Sequence, residues 1–528
     1  MARYKKYNYS QMVMLPVSLE NQLMKGTLEH MIHEVVETKI DTTIFEDKYN
    51  NDFTGSPAYD PKILLKLVLL AYSRGIIGSR KIEKACRENI VFMAISCGMN
   101  PDHSTIAHFL SSMKNEIINI FRDVLLYCDD KELLGGSHFS LDGCKLPSNA
   151  SKEWSGTFKE LKRKRYKLEQ KVRSTIIEHE KADKEETDRP QSKNKIKRLQ
   201  QKIERIDRFI KENTPKEGKT KKEIQSNVTD NESAKMPTSH GVIQGYNAQA
   251  LADEKHQVIV HAEAMGNGQD HDNLEPMIDG AKETMEELGK GEEYFADKTL
   301  SADANYHNNK NIKRCEEEKI DAYIPDTGFR RRDERYQNQD RFRDGVTKRP
   351  KKNEHKSKKG IFTWEEFEPV SLLTDNDEVK NKYRCPNGKY LSQQSLHHKS
   401  RNKEYEYYRS KESDCKDCPV KSKCIFREDG KTRSLLIPTG YLKDKQITHS
   451  QKMQQKIDTE EGKKIYSKRL GIIEPVFANI RSQKRLDRFT YRGKVKVNIQ
   501  WLLYCMVHNI EKICNTSATL STGYGLAV

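Results

Sequence analysis

Four cysteines are spaced for metal chemistry. Cys415-x2-Cys418-x5-Cys424 supplies a close trio, and Cys385 in "YRCPNG" offers a fourth from a knuckle-like turn. Four thiolates are the tetrahedral set for structural zinc, and such a site fastens a segment with little apolar core of its own. An iron–sulfur cluster takes the same ligands. Three carboxylates stand in unusual settings. Asp142 falls mid-strand in "FSLDGCKLPS", followed by a glycine that leaves space beside it. Asp303, in "SADANYHNNKN", ends a strand and precedes a helix, the junction where ligand groups gather in α/β sheets. Glu474, in "GIIEPVFANIRSQKR", is the only acid from Gly462 to Leu486 and stands ahead of a basic run. Taken singly, an Asp at a strand end is most simply a cap or turn former.

The elements that carry these residues can be read from periodicity. Residues 61–125 are helical: "PKILLKLVLLAYSRGI" has an apolar face, and "GSRKIEKACREN" and "NPDHSTIAHFLSSMKNEIINIFRDVLLYC" follow as further segments. Short helices broken by Gly-Ser and Asn-Pro-Asp turns suit a helix-turn-helix DNA reader or, equally, a plain bundle. In the first case Arg80, Lys81, Ser104 and Thr105 are candidate DNA contacts. From 138 the period becomes that of strands, in "HFSLDGCKLPS", "GVIQGYNAQALAD" and "HQVIVHAEAM", and then strands alternate with helices. A mixed α/β layer is expected.

Two insertions interrupt that layer. In 157–225, Ile196, Leu199, Ile203, Ile206 and Ile210 form a coiled-coil seam, so an antiparallel helical hairpin is expected. In 328–445, the portion Arg331–Lys359 is too polar to pack and is expected to be mobile. The chain closes on "VKVNIQWLLYCMVHNIEKI", apolar enough to lie against the sheet.

Lys plus Arg number 94 against 78 Asp plus Glu, a net charge of +16 that favours a polyanionic partner such as nucleic acid. Only 35% of residues are hydrophobic, so part of the length must be solvated helix or loop rather than core. No stretch approaches the ~20 apolar residues of a membrane span, and "MARYKKYNYSQMVMLPVS" lacks the apolar region of a secretory signal. Eleven cysteines, odd in number and mostly scattered, suit a reducing compartment better than a disulfide framework. A cytoplasmic, nucleoid-associated protein is expected.

Five blocks, in order, resemble bacterial insertion-sequence transposases of the DDE class: "YDPKILLKLVLLAYSRGIIGSRKIEKACREN…NPDHSTIAHF", "SNVTDNESAKM…GYNAQALAD", "ADANYHNNKNIKRCEEEKIDAYIP", "YRCPNGKYL…CKDCPVKSKC" and "YSKRLGIIEPVFANIRSQKR". The resemblance implies an RNase H-like catalytic domain whose mixed sheet is flanked by helices. It is preceded by a helical DNA-binding domain and interrupted by a cysteine-rich insertion. The expected division is 1–135 helical, 136–327 and 446–515 the two parts of the core, 328–445 the insertion and 516–528 a tail.

The resemblance further implies that Asp142, Asp303 and Glu474 ligate two Mg2+, with Mn2+ as a substitute. Breaking and rejoining a phosphodiester needs a nucleophile activated and a leaving oxygen stabilised, and two such ions about 4 Å apart do both. Double-stranded DNA, as element ends and target, is the implied partner, and synapsis of two ends suggests a homodimer. Asp230, in "NVTDNES", is a reserve active-site residue, whereas Asp253, Asp270, Asp272 and Asp297 read as turns and caps. Tyr466, Arg469 and Arg481 fit the family's pattern around the glutamate; Tyr466 is a candidate DNA contact, and Arg469, Arg481, Lys484 and Arg485 could hold phosphates. The pattern is broken at one point: four residues, not three, separate Arg469 from Glu474. On a straight helix that sets them about 140° apart, which puts an active-site place for Arg469 in doubt. With Pro475 next to Glu474 and glycine at 471, a helix bent or restarted at 471–475 is expected. A non-catalytic DNA-binding relative, or a hydrolytic nuclease without strand joining, are the competing readings.

Overall fold

The computed structural model describes residues 18–49, 57–184, 190–218, 221–238, 241–336, 362, 366–373, 379–400, 403–425, 430–438 and 448–522. The polar stretch expected to be mobile lies, from 337 onward, outside the described residues. The chain divides into two compact units, 1–332 with 449–528, and 333–448.

The first unit opens on six helices: α1 (Leu28–Thr38), α2 (Pro61–Ser73), α3 (Ser79–Glu88), α4 (Ile90–Ile95), α5 (His103–Ser112) and α6 (Glu116–Asp130). Side-chain caps start several of them. Thr27 accepts from His30 N–H, and Asp60 accepts from Lys62 N–H just before Pro61. Asn89 accepts from Val91 N–H and Asp102 from Thr105 N–H. Each cap satisfies an amide that the helix itself leaves orphaned. Every side chain from Ile63 to Tyr72 is buried, so α2 is the middle of its layer rather than a surface helix.

Six strands form the sheet: β1 (His138–Pro147), β2 (Ala234–Thr238), β3 (Gly241–Asp253), β4 (Ile259–Met265), β5 (Thr299–Ala302) and β6 (Asp321–Tyr323). Their order is β6–β5–β1–β3–β2, with β4 also pairing β3. β1 runs antiparallel to β3 but parallel to β5, which is parallel to β6. Helices α9 (Leu274–Glu287) and α10 (Asn309–Glu317) make the crossovers between parallel strands. A buried polar ladder pins the β1–β5 register: Ser301 Oγ meets Ser140 Oγ at 2.7 Å and His138 Nε2 at 2.9 Å. With His138 aligned to Thr299, Leu141 comes to lie beside Ala302.

After the second unit the chain returns with α11 (His449–Asp458), α12 (Glu460–Ala478) and α13 (Lys494–Thr522). α13 is buried on all sides through Trp501–Ile510 and packs against α1, α2, α6 and β4. One hydrophobic core therefore runs from the N-terminal helices into the sheet, and the helices 28–130 are not a separate body. The expected tail is in part helix, since α13 continues to Thr522. Polar side chains of α13 bond the sheet backbone. Asn509 Oδ1 accepts from Ile259 N–H while its Nδ2 donates to Ile259 C=O, both at 2.9 Å. Trp501 Nε1 donates to Gln249 C=O at 2.9 Å.

Helices α7 (Phe158–Lys184) and α8 (Pro190–Glu212) pair as the expected hairpin. Phe158 meets Phe209, and Arg165 pairs with Asp207 at 3.1 Å, so the two helices run antiparallel. Leu199 and Ile206 of the anticipated seam are buried, and Phe209 joins Ile206 in a small core with Phe158 and Leu161. Among the described residues no helix is long and apolar enough to cross a membrane.

The second unit holds a five-stranded antiparallel sheet, β7 (Glu368–Leu373), β8 (Val379–Arg384), β9 (Tyr390–Ser400), β10 (Lys403–Ser410) and β11 (Ser434–Pro438), paired in chain order. Its buried apolar core is small: Phe367, Tyr383, Leu391, Tyr408, Cys424, Leu435 and Ile437.

The two-bond clasp of Asn509 on Ile259 sits at the meeting of helix and sheet. Asn509→Ala strands a buried N–H and C=O, at about 1–3 kcal/mol for each unsatisfied group. Urea unfolding of the full chain is expected to show a loss of about 2 kcal/mol or more; a change within ~0.5 kcal/mol would contradict it.

Candidate active site and cysteine cluster

The β1–β5 register sets the first two acids side by side, Asp142 following Leu141 and Asp303 following Ala302 where the paired segment ends. α12 brings the third. It lies against β1, β3 and β5 with Ile472, Ile473 and Val476 buried, which leaves Glu474 on its flank with 59% of its side chain exposed. Glu474 is thus a rim residue of an amphipathic helix, not an acid inside an apolar face.

At the centre of the three lies the guanidinium of Arg469. Its Nη2 donates to Asp142 Oδ2 at 3.0 Å and lies 3.9 Å from Asp303 Oδ1, while Nη1 lies 3.9 Å from Glu474 Oε1. The angular offset from Glu474 that put Arg469 in doubt is spanned by the length of its side chain. Arg469 is buried, and its Nε has no hydrogen-bond partner.

The helix is neither restarted nor interrupted at 471–475; it runs unbroken from Glu460 to Ala478 with Pro475 inside. A proline lacks the N–H that would bond the carbonyl four residues back. That carbonyl, Gly471 C=O, accepts instead from Gln257 Nε2 at 3.5 Å. The irregularity comes later, as a π-helical turn over Asn479–Gln483.

Burial raises the Asp142 carboxyl to about 6; Arg469 and the Gly143 N–H at 2.8 Å oppose the rise, and Asp303 and Glu474 add to it. Beside it is a buried polar layer that periodicity did not single out. Tyr306 Oη donates to Gln249 Oε1, Gln249 Nε2 to Asp270 Oδ1 at 3.3 Å, and Asn247 Nδ2 to Asp270 Oδ1 at 2.6 Å. Lys145 Nζ lies 3.8 Å from Asp270. Asp270, read as a turn residue, is therefore the anchor of this layer. Gly143 is required by it, because a Cβ there would run into the Gln249 and Asn247 amides. The signal available in sequence was two amides at alternate positions of "YNAQALA", a strand otherwise apolar.

Residues 384–514 match the family described as Transposase DDE domain, and residues 17–112 match Transposase domain (DUF772). Both matches are to transposase families, and together they indicate an insertion-sequence transposase of the DDE class. Glu474, Arg469 and the four cysteines fall inside the first match, whereas Asp142 and Asp303 lie outside both. No curated protein matches the chain.

The transposase's candidate DNA contacts are dispersed. Arg80 and Lys81 are exposed on the first turn of α3, and Ser104 and Thr105 start α5, where Ser104 Oγ and Thr105 N–H both bond Asp102. Glu83 joins the two helices through His103 Nδ1 at 2.9 Å. Arg481 and Arg485 are exposed. Two candidates are corrected. Lys484 is 1% exposed and pairs with Glu511 at 2.6 Å, tying the end of α12 to α13. Tyr466 is buried edge-on against Phe329. Neither presents a surface to DNA. The reserve acid Asp230 accepts from Tyr246 Oη at 2.9 Å, four register positions along β3 from Ala250, the partner of Asp142.

In the second unit, Cys385, Cys415, Cys418 and Cys424 line a single cavity. Cys385 Sγ accepts from Lys389 N–H at 3.2 Å across a turn in which Gly388 has φ 78°, and Asn387 Nδ2 reaches Cys418 Sγ at 3.5 Å. Burial pushes the Cys424 thiol up to about 11, and the other three cysteines add to the rise. Among the described residues, no group of three or more His, Cys, Asp or Glu side chains stands arranged to hold a metal ion. In the acid cluster the Arg469 guanidinium takes up the space between the carboxylates.

The transposase's Asp142 makes a prediction for the metal-free protein. Its folded pKa of about 6 exceeds the unfolded value of about 3.9, so the folded state holds the extra proton between those pH values. Ionising Asp142 therefore costs stability as pH rises from ~4 to ~6, with no further change above. In urea melts, Asp142→Asn should gain relative to wild type across that window and hold the gain to pH 7.5. A wild-type-minus-variant difference that is flat with pH would refute it.

Proposed function

We propose that this transposase binds the terminal inverted repeats of its own insertion sequence, cuts there with Mg2+, and joins the freed 3′-hydroxyl to target DNA. The observation that carries the reading is the convergence of Asp142, Asp303 and Glu474 on one cation, the Arg469 guanidinium. A central strand with an antiparallel neighbour on one side and two parallel strands on the other supports an RNase H-like core. The donor set is all carboxylate, which suits a hard cation, and a positive group already stands among the three. Asp142, Asp303 and Glu474 would hold two Mg2+ (or Mn2+), which when bound activate the attacking oxygen and stabilise the leaving one.

The chain's own groups do the rest. Glu474, on the exposed flank of α12, leaves the site open on the side from which a backbone phosphate arrives. Exposed Arg481 and Arg485 would position that phosphate, and Arg80, Lys81, Ser104 and Thr105 on α3 and α5 would read or grip the element ends. Bringing two ends together calls for a homodimer. A cleavage assay on duplexes carrying the element's ends tests the reading. Wild type should nick and join, and Asp142→Asn should bind equally but cut at least ~10³-fold more slowly, because a lost ligand removes several kcal/mol of charge stabilisation. Binding without cutting by wild type in Mg2+ or Mn2+ would leave a DNA-binding relative, and cutting without joined products a hydrolytic nuclease.

For the second unit we propose a structural zinc on Cys385, Cys415, Cys418 and Cys424. The amide N–H on Cys385 Sγ supports this, as does the small apolar core around the site. Metal analysis of the purified chain should find one zinc per chain, lost with Cys415→Ser/Cys418→Ser. Iron with visible absorption would mean a cluster, and metal-free protein would sink the proposal.

A further inference from the structure

Arg469 is badly housed for a residue so deeply placed. Of its five N–H donors, a single hydrogen bond, to Asp142, has good length; the two other acids are 3.9 Å away, and Nε has no partner. A guanidinium built only to brace a strand end is expected to be saturated, since buried donors left unmade are costly. What does hold Arg469 is charge: three carboxylates from β1, the end of β5 and α12 surround it, and burial strengthens that attraction. Without a cation among them the three acids would repel one another.

We infer that Arg469 is an exchangeable counter-cation. It neutralises the acid cluster of the metal-free protein and leaves the cluster when divalent metal enters. The inference rests on the metal-holding role proposed for the three acids. Its parts fit an exchange: a long side chain on a rigid helix, one short bond to break, and a fork shaped to take up a phosphate once released. Arg469 is thus a positioning residue, which competes with metal while DNA is absent and so keeps an unengaged enzyme poorly loaded. The competition follows from mass action, because a resident cation lowers the apparent affinity of the one that must replace it.

The test is Mn2+ binding by the full chain without DNA, followed by electron paramagnetic resonance and calorimetry. Arg469→Gln should bind Mn2+ about tenfold more tightly than wild type and, metal-free, should melt at a lower temperature. Affinity unchanged or weakened in Arg469→Gln overturns the inference. Asp142→Asn separates the two levels: if it binds Mn2+ as wild type does, the metal-holding reading itself fails. Should Arg469→Gln not fold, a structure of the wild type with Mn2+ decides. The guanidinium is expected away from Asp142, and an intact Arg469–Asp142 bond beside bound Mn2+ overturns the inference.

Discussion

The short parallel pairing of His138–Leu141 with Thr299–Ala302 fixes where Asp142 and Asp303 stand relative to one another. A slip of one residue in this pairing would turn Asp142 or Asp303 to the other face of the sheet. Apolar neighbours alone would tolerate a slip poorly but could not name the register. The buried contacts among His138, Ser140 and Ser301 do name it, because a shifted strand would strand their polar atoms away from water. His138 extends the same ladder through Nδ1, 3.0 Å from Glu254 just beyond β3, so three adjacent segments are locked together beneath the acids.

Above that lock the site is a problem in charge. Two carboxylates at neighbouring strand positions and a third on α12 form an arrangement that folding opposes unless a cation joins them. Arg469 supplies it from the helix that carries Glu474, so one element delivers both a negative and a positive group. The orientation of α12 is fixed at its far end by Asn479, Lys484, Glu511 and His508. Lys484 Nζ and Asn479 Nδ2 both bond Glu511, and His508 Nδ1 meets Asn479 Oδ1 at 3.1 Å. Burial takes the His508 imidazole down to about 3, so this joint stays neutral at the histidine across the working pH range.

Much of this layout is legible in the chain. The strand alternation around Asp142, the strand-to-helix step at Asp303 and the seam of the helical hairpin are local patterns, and local patterns survive folding. Three kinds of feature are not local. The bridging of Arg469 to Glu474 depends on the reach of a side chain, which helix phase ignores. α12 continues through Pro475, and the carbonyl freed there, on Gly471, accepts from a distant donor, Gln257. The burial of Lys484 depends on Glu511, on another helix. In the last two cases a polar group is settled by a partner remote in sequence. The same holds for Asn247, Gln249, Asp270 and Tyr306, whose side chains look unremarkable singly and make sense only as one network.

The placement of α13 bears on how the chain comes to be folded at all. It is made after every other described element, yet it lies between the N-terminal helices and β4 and bonds the sheet through Asn509 and Trp501. Emergence from the ribosome runs from the N-terminus, so the helices and the sheet are made before the helix that joins them. Glu474 arrives almost as late. A chain still in synthesis, or one cut short before α12, has two of the three acids and no Arg469. The acid cluster and its counter-cation therefore exist together only in a chain that has been made through α12.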